Sequence, residues 1–304
     1  WQIFIVCQLY GWKRRSDNYR RYRTAYVEVP RKSGKSTFCS GLTLYGLIAD
    51  GENAAEVYAA ATTRDQARIV FGDAQAMVKK SPQLLEHLKC HRSATLHEAS
   101  GSKFEPLSSD AGSLEGRSPS FSVVDELHVH KTSEIWDVLN VAAGARAQPI
   151  IFAITTAGTN REGICYEIRE YCTKVLDPHL DVNDDTFFAA IWGIDESDDW
   201  RDPETWKKAN PGYGISVFPD DLERMAKQAM ESPSAETNFR TKRLNQWMSS
   251  SSAWISSQDW DSTAGDRPPI DYFTGKPCYI GLDLASVSDY ASHTIPMYIY
   301  IYTL

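Results

Sequence analysis

Long apolar runs, paired cysteines and a positive overall charge are all missing from this 304-residue sequence. No stretch approaches the roughly 20 apolar residues that span a bilayer, so no membrane association is expected. The six cysteines are scattered without a CxxC pair, and neither a disulfide framework nor a zinc knuckle is indicated. The formal net charge of −8 argues against a protein that coats nucleic acid with its whole surface. A protein of a reducing cytoplasm is the expectation.

Positive charge is nevertheless concentrated near the beginning of the chain. Residues 11–35 contain nine Lys or Arg against two acidic residues. Such a segment either holds a polyanion locally or is a solvated basic loop, and between Lys13 and Arg23 the sequence leaves both interpretations open.

Short apolar runs alternate with helical patterns through the first two thirds of the chain. Strands that alternate with helices predict an α/β fold with a mainly parallel sheet and helices on both faces. Thr62 or Thr63 is expected to cap the second helix. The predicted strands are 24–29, 55–61, 121–124, 150–154 and 187–192, and the predicted helices are 37–49, 63–80 and 133–142.

The amino-acid composition changes near residue 195. A stretch rich in Asp, Pro, Gly and Trp predicts an irregular connection with a short helix, and residues 219–247 predict helices interrupted around 232–234. A further strand is predicted at 278–284. We therefore expect three parts, namely a sheet domain over 1–195, a helical and irregular part with a linker over 196–274, and the start of another domain over 275–304.

The segment VPRKSGKST lies between the first predicted strand and the first predicted helix, which is the context of a phosphate-binding loop. Lys35 is expected to reach the outer phosphates of ATP, and the Ser36 hydroxyl to join the shell of Mg²⁺. Arg31 and Lys32 add positive charge inside the loop, which favours a triphosphate. Val29 stands where the usual pattern has glycine, so the loop begins in a non-standard way.

The apolar run FSVV ends in Asp125 and Glu126. An acidic pair after a strand suits an ATPase in which Asp125 binds Mg²⁺ and Glu126 orients or deprotonates the attacking water. Because a second acid is typical of ATPases that hydrolyse with water, motor or switch chemistry is favoured. His128 and His130, which follow, are expected to have structural or surface roles.

Four segments together resemble the large terminase subunit of tailed bacteriophages: VPRKSGKS, VVDELH, the TTAG of residues 155–158, and GLDLASVSD near the end. The resemblance covers nearly the whole chain, and that family tolerates a residue other than glycine at the position of Val29. It implies a P-loop ATPase domain of the additional-strand type, followed by an RNase H-like nuclease. It also implies a motor that translocates double-stranded DNA into a procapsid.

The resemblance assigns roles to individual residues. Arg117 can serve the ATP of a neighbouring subunit, which requires a ring of subunits. Gln2 would contact adenine, and Asp125 and Glu126 would be the Mg²⁺ partner and the catalytic base. The phosphates would be held by Arg31, Lys32, Ser33, Gly34, Lys35, Ser36 and Thr37, and Thr155, Thr156 and Gly158 would couple hydrolysis to DNA movement.

For the nuclease, the resemblance implies that Asp283 binds a catalytic divalent metal, Mg²⁺ or Mn²⁺, with Asp289 as a further acid. Two-metal cleavage needs several carboxylates, and no acidic residue follows Asp289. We therefore expect a fragment of a longer protein that lacks most of the nuclease site and does not cut DNA efficiently.

The implied partners are double-stranded DNA, a portal protein and a small terminase subunit, and the implied location is the cytoplasm of the bacterial host, docked on a procapsid during packaging. DNA contacts should be mostly with phosphates. Two alternatives stay open: a helicase-like ATPase stimulated by nucleic acid, and an inactive prophage remnant.

Two other groups of residues receive no functional role. His87, Cys90, His91 and His97 lie close together, but a helix surface explains them better than a zinc site. Five bases could face DNA, although solvated helix faces are the preferred interpretation. These bases are Lys207, Lys208, Arg240, Lys242 and Arg243.

Overall fold

A computed structural model describes residues 1–107, 116–249, 262, 281–283 and 292–294 of the chain. The chain divides into two compact units, Trp1–Trp254 and Ile255–Leu304. None of the helices in the described ranges is both long and apolar enough to cross a bilayer.

An eight-stranded sheet forms the centre of the first unit. Its strands are β1 (Thr24–Glu28), β2 (Glu56–Ala60), β3 (Lys89–Cys90), β4 (Thr95–His97), β5 (Ser102–Leu107), β6 (Phe121–Asp125), β7 (Ile150–Thr155) and β8 (Phe187–Ile191). Their order in the sheet is β3-β4-β5-β2-β6-β7-β1-β8. The last six strands of this order are parallel to one another, whereas β3 and β4 add antiparallel pairs at one side. The predicted mainly parallel α/β fold is confirmed, and so are all five predicted strands of this unit.

Nine α-helices occur in the described part of this unit: α1 (Gln2–Gly11), α2 (Lys35–Ile48), α3 (Arg64–Lys80), α4 (Pro82–His87), α5 (Glu134–Ala142), α6 (Ile164–Leu176), α7 (Pro203–Ala209), α8 (Pro219–Glu231) and α9 (Pro233–Arg243). The predicted cap is confirmed in α3, where the Thr63 hydroxyl accepts a hydrogen bond from the Gln66 N–H at 3.3 Å. Asp65 in its first turn and two lysines in its last turn also favour the helix dipole.

Two apolar cores lie on opposite faces of the sheet, because successive side chains of a strand point to opposite faces. In β1, Val27 belongs to the core under α1, α2 and α3, whereas Tyr26 belongs to the core under α5 and α6. Strands buried on both faces read as continuous apolar runs, and this is why the sequence predicts them well.

A third core joins α7, α8 and α9. The ring of Phe239 on α9 lies 6.0 Å from the rings of both Trp200 and Trp206. The main chain connects α9 to the loop after β1, because the Arg31 N–H donates to the Lys242 carbonyl at 2.9 Å. The helical part is therefore anchored directly beside that loop.

The sequence does not predict β3, β4, β5, α1, α4 or α6. β3 contains two residues and β4 three, which are too few to reveal the alternation of apolar and polar residues that predicts a strand. In α1, apolar residues occur on every side of the helix, so it lacks the one-sided pattern of an amphipathic helix.

The second unit contains two described strands, β9 (Gly281–Asp283) and β10 (Ser292–Thr294), which pair antiparallel. β9 lies within the strand predicted at 278–284. Asp289 lies outside the described residues.

Candidate nucleotide site

Three neighbouring strands bring the predicted site residues together. β6, β7 and β1 are adjacent and parallel, with Asp125 beside Ile154 and Glu28 beside Thr155. Parallel strands end at the same edge of a sheet, here called the carboxyl edge. The loop after β1, the acidic pair of β6 and the TTAG segment after β7 therefore meet at the carboxyl edge.

The loop between β1 and α2 has a strained backbone. Lys32 has a φ of +71° and Gly34 a φ of +82°, a region that glycine adopts freely and lysine rarely. Gly34 caps α2, so the exposed amino end of that helix faces the loop. The Gln2 amide nitrogen lies 3.5 Å from the point that a Cβ of Gly34 would occupy, which places the start of α1 against the same loop.

The Lys35 side chain is buried within this loop. Its ammonium group donates hydrogen bonds to the carbonyls of Val29 at 3.2 Å and Pro30 at 3.5 Å. Burial lowers the pKa of Lys35, and the carboxylates of Glu126 and Asp125 oppose that effect. The remaining predicted phosphate contacts differ in exposure: Ser33 is buried, Ser36 half-buried, and Arg31, Lys32, Gly34 and Thr37 exposed.

Asp125 and Glu126 are adjacent but have opposite pKa shifts. Burial, with the charge of Glu126, raises the pKa of Asp125 to about 6. Burial also acts to raise the pKa of Glu126, but the adjacent His128 ring and the charge of Lys35 outweigh it and hold the pKa at about 2. Glu126 has a φ of +50°, so its backbone turns sharply where the strand ends.

His128 connects the acidic pair to the TTAG segment. Its Nδ1 lies 3.1 Å from both Glu126 Oε2 and Thr155 Oγ1, and 3.4 Å from Thr156 Oγ1. Its Nε2 lies 3.1 Å from the ammonium group of Lys242 on α9. Burial lowers the pKa of His128.

The chain just after α9 holds the TTAG segment in place. The Asn245 carboxamide accepts the Ala157 N–H at 2.6 Å, and the Trp247 ring lies 3.2 Å from the point that a Cβ of Gly158 would occupy. Asn245 and Trp247 also donate to Glu28, a carboxyl group with no exposed surface at the end of β1. Burial raises the pKa of Glu28. Three segments distant in sequence therefore share one buried polar cluster.

A largely apolar cavity of about 480 Å³ lies between α1 and α2 beside the loop. Its size and lining suit a planar aromatic base. Two predicted nucleotide contacts, Gln2 and Thr37, line it, and it is completed by Val6, Tyr10, Phe38, Gly41, Leu42 and Tyr45.

Arg117 lies away from the carboxyl edge. It precedes the amino end of β6, where its guanidinium donates to Glu105 at 2.8 Å and to the Tyr58 hydroxyl at 3.2 Å. Within one chain Arg117 is therefore held at the other end of the strand that carries Asp125. Asp283 is the last residue of β9, and only its backbone is described.

Most of the residues that received no functional role are explained by local contacts. No group of three or more metal-ligating side chains occurs within the described ranges, which include His87, Cys90, His91 and His97. Lys207 and Lys208 pair with nearby carboxylates. Arg240 and Arg243 pair with Glu236 and Asp221, and the solvated helix face expected for these bases is wrong for Arg243, which is buried. Lys242 differs from them, because its ammonium group lies beside His128 Nε2 rather than beside a carboxylate. Neither residue was assigned to the nucleotide site from the sequence.

Two family models cover almost the whole chain. Residues 1–174 match the terminase large subunit ATPase domain, and residues 181–298 match the terminase large subunit endonuclease domain. The boundaries expected near 195 and 274 stay predictions.

Two curated relatives match over long segments. Protein YmfN of Escherichia coli (strain K12) is 38% identical over 175 residues, which are 58% of this chain and 38% of that protein. The terminase large subunit of Enterobacteria phage HK97 is 27% identical over 278 residues, which are 90% of this chain and 53% of that protein. This chain thus spans about half or less of the length of either relative.

Solved structures share the fold. The crystal structure of the HK97 bacteriophage large terminase matches with a TM-score of 0.70 and 25% identity, over 97% of this chain and 59% of that one. The large terminase of a thermophilic bacteriophage, solved in complex with ADP, matches with a TM-score of 0.54 and 13% identity, over 81% of this chain and 52% of that one.

Proposed function

Since the chain belongs to the terminase large subunit family, we propose that its first unit is an ATP hydrolase that drives double-stranded DNA into a procapsid. The observation that carries this proposal is the meeting of a phosphate loop, an acidic pair and the TTAG segment at one edge of the sheet. Each of these parts has a separate task in ATP-driven movement.

The residues at the carboxyl edge fit a magnesium-bound triphosphate. Among the described residues, the buried Ser33 hydroxyl has no hydrogen-bond partner, and the buried Lys35 ammonium group donates hydrogen bonds only to loop carbonyls. An anion in the loop satisfies both groups. Ser36 and Asp125 would hold Mg²⁺, which when bound neutralises charge on the phosphate oxygens. Gln2 and the adjacent cavity would take the adenine base.

Glu126 is the proposed catalytic base. Its carboxylate is ionised at neutral pH, so it can orient a water molecule for attack on the γ-phosphate. Lys35 is one of the charges that keep its pKa low. When Lys35 turns toward the phosphates, Glu126 becomes a stronger base at the moment the attacking water must be deprotonated.

The TTAG segment is the proposed coupling element. Thr155 and Thr156 contact His128 beside the catalytic base, while Ala157 and Gly158 contact the chain after α9. A change at the γ-phosphate can therefore pass through residues 155–158 to the helical part. We propose that this part moves DNA through contacts with its phosphates.

The assembled motor needs further components. Arg117, far from its own loop, is proposed to serve the ATP of a neighbouring subunit in a ring. A portal protein and a small terminase subunit are the proposed protein partners, in the cytoplasm of a bacterial host. In the second unit, Asp283 at the end of β9 is proposed to bind the divalent metal of the nuclease.

Replacement of the loop lysine tests the proposed hydrolase. We expect Lys35→Ala to lower magnesium-dependent ATP hydrolysis in the presence of DNA by at least about 100-fold, the effect of removing one hydrogen-bond donor from a transition state that carries negative charge. Lys227→Ala is the matched control, because that lysine is exposed on α8. Equal hydrolysis by the wild type and Lys35→Ala, at equal folded content by circular dichroism, would refute the proposal.

A further inference from the structure

Lys242 is a half-buried cation without an acidic partner. Its neighbours on α9, Arg240 and Arg243, each pair with a carboxylate, whereas Lys242 forms no ion pair within the described part of the chain. Burial, reinforced by the charge of Arg31, lowers the pKa of Lys242 to about 8. Even partial burial of a cation without a carboxylate partner is unfavourable, and an anion beside it would offset that cost.

The backbone of Lys242 is fixed to the phosphate loop. Its carbonyl accepts the Arg31 N–H at 2.9 Å, so the four-carbon side chain starts beside the loop. A cavity of about 530 Å³ on the same side of α9, lined in part by Thr159 and Asn238, gives that side chain room to change rotamer. Lys242 can therefore reach more than one position without movement of α9.

The present partner of Lys242 is His128, whose ring also lies beside the proposed catalytic base. Because the Thr155 hydroxyl donates to the Thr156 carbonyl, it accepts from the Nδ1–H tautomer of His128, which leaves the Nε2 lone pair to accept from Lys242. Lys242 thus stabilises one tautomer and one orientation of His128. Withdrawal of Lys242 would free the histidine to reorient.

We propose that Lys242 is a γ-phosphate sensor supplied by α9, which exchanges its hydrogen bond to His128 for one to the γ-phosphate of bound ATP. The proposal rests on the nucleotide site proposed above and adds a second route from ATP to the helical part. Through the exchange, ATP binding releases His128 from its contact with α9 and draws the Lys242 side chain toward the phosphate loop. Loss of the γ-phosphate returns the lysine to the histidine.

A comparison of two nucleotides tests the sensor without relying on turnover. ATPγS has a γ-thiophosphate and ADP has none, so the affinities of both for the full chain are measured with Mg²⁺ by calorimetry. For Lys242→Met, which keeps the apolar stem, we expect ATPγS to bind about 10-fold more weakly, or about 1.4 kcal/mol. The affinity for ADP should change less than about twofold.

Two variants serve as controls for folding and charge. Lys242→Arg keeps the charge and should retain most of the preference for ATPγS, while Lys227→Met on α8 should change neither affinity. Equal weakening of ATPγS and ADP by Lys242→Met, or no weakening of either, would overturn the sensor. Lys35→Ala separates this result from failure of the nucleotide site, because it should weaken both nucleotides strongly. If it weakens neither, the proposed hydrolase is wrong as well.

Discussion

Two arginines at the amino edge of the central sheet and two lysines at its carboxyl edge have different kinds of partner. At the amino edge, formed by the residues that precede β1, β2, β6 and β7, Arg20 donates to the Gln148 carbonyl and pairs with Asp50. Arg146 there donates to the carbonyls of Asn53, Ala54 and Ser118. At the carboxyl edge, Lys35 and Lys242 form no ion pair within the described residues.

This difference separates structural from functional cations. An arginine with several fixed acceptors ties loops together and has little capacity left for a ligand. A lysine that is wholly or partly buried beside carbonyl groups or a histidine ring remains able to bind an anionic ligand, although its burial lowers the stability of the fold. The open question of the basic segment is resolved for Arg20, which is 5% exposed and structural.

The largest expected effect is at the carboxyl edge. Glu126→Gln should lower ATP hydrolysis by about 1000-fold, because a positioned general base typically contributes 10²–10⁴-fold. Nucleotide affinity should change little, since the amide occupies the same volume and the phosphate contacts remain. Hydrolysis is measured with radiolabelled ATP and affinity by calorimetry. If Glu126→Gln kept more than a tenth of the wild-type rate, a residue other than Glu126 would have to be the general base.

The next effect is at the amino edge and concerns folding. Arg20→Ala should lower the free energy of unfolding by about 3 kcal/mol, because it leaves Asp50 buried without its partner. Chemical denaturation at pH 7 measures this loss, and ATP hydrolysis by the folded fraction should be unchanged. A large loss of hydrolysis without a loss of stability would show that Arg20 at the amino edge acts in hydrolysis rather than in folding.

The same variant has a pH signature. Burial raises the pKa of Asp50 to about 6, against the opposing charge of Arg20. A raised carboxyl pKa favours the folded state at low pH and disfavours it as pH rises through the folded value. Without the charge of Arg20 the pKa of Asp50 rises further, so the folded state loses more stability as the pH increases. Arg20→Ala should therefore lower the free energy of unfolding less at pH 5 than at pH 8. A cost independent of pH would mean that Asp50 is not the group left unpaired.

The smallest effect is expected for Arg117 in the isolated chain. Arg117→Ala removes an exchangeable pairing with Glu105 and should leave hydrolysis by dilute monomer unchanged. If the arginine serves a neighbouring subunit, any rise in specific activity with protein concentration should disappear in the variant. Loss of activity in dilute monomer would instead place Arg117 at its own active site.

The sequence predicted the strand ends well and the side-chain network poorly. Asp125 and Lys35 follow apolar runs, and parallel strands must end at one edge, so their meeting follows from local patterns. His128 and Lys242 are far apart in the chain, and no period or motif links them. The contact between them exists only because α9 packs beside the phosphate loop.

The sequence alone determined the parallel sheet, the loop at Gly34 and the acidic pair, because these depend on local hydrophobicity, backbone freedom and strand order. Tertiary structure alone decided which cations are available at the carboxyl edge. Arg243 and Lys242 are adjacent on one helix, yet the former pairs with Asp221 and the latter with His128. Burial and partners set the electrostatics of a charged side chain, and both depend on how distant segments pack.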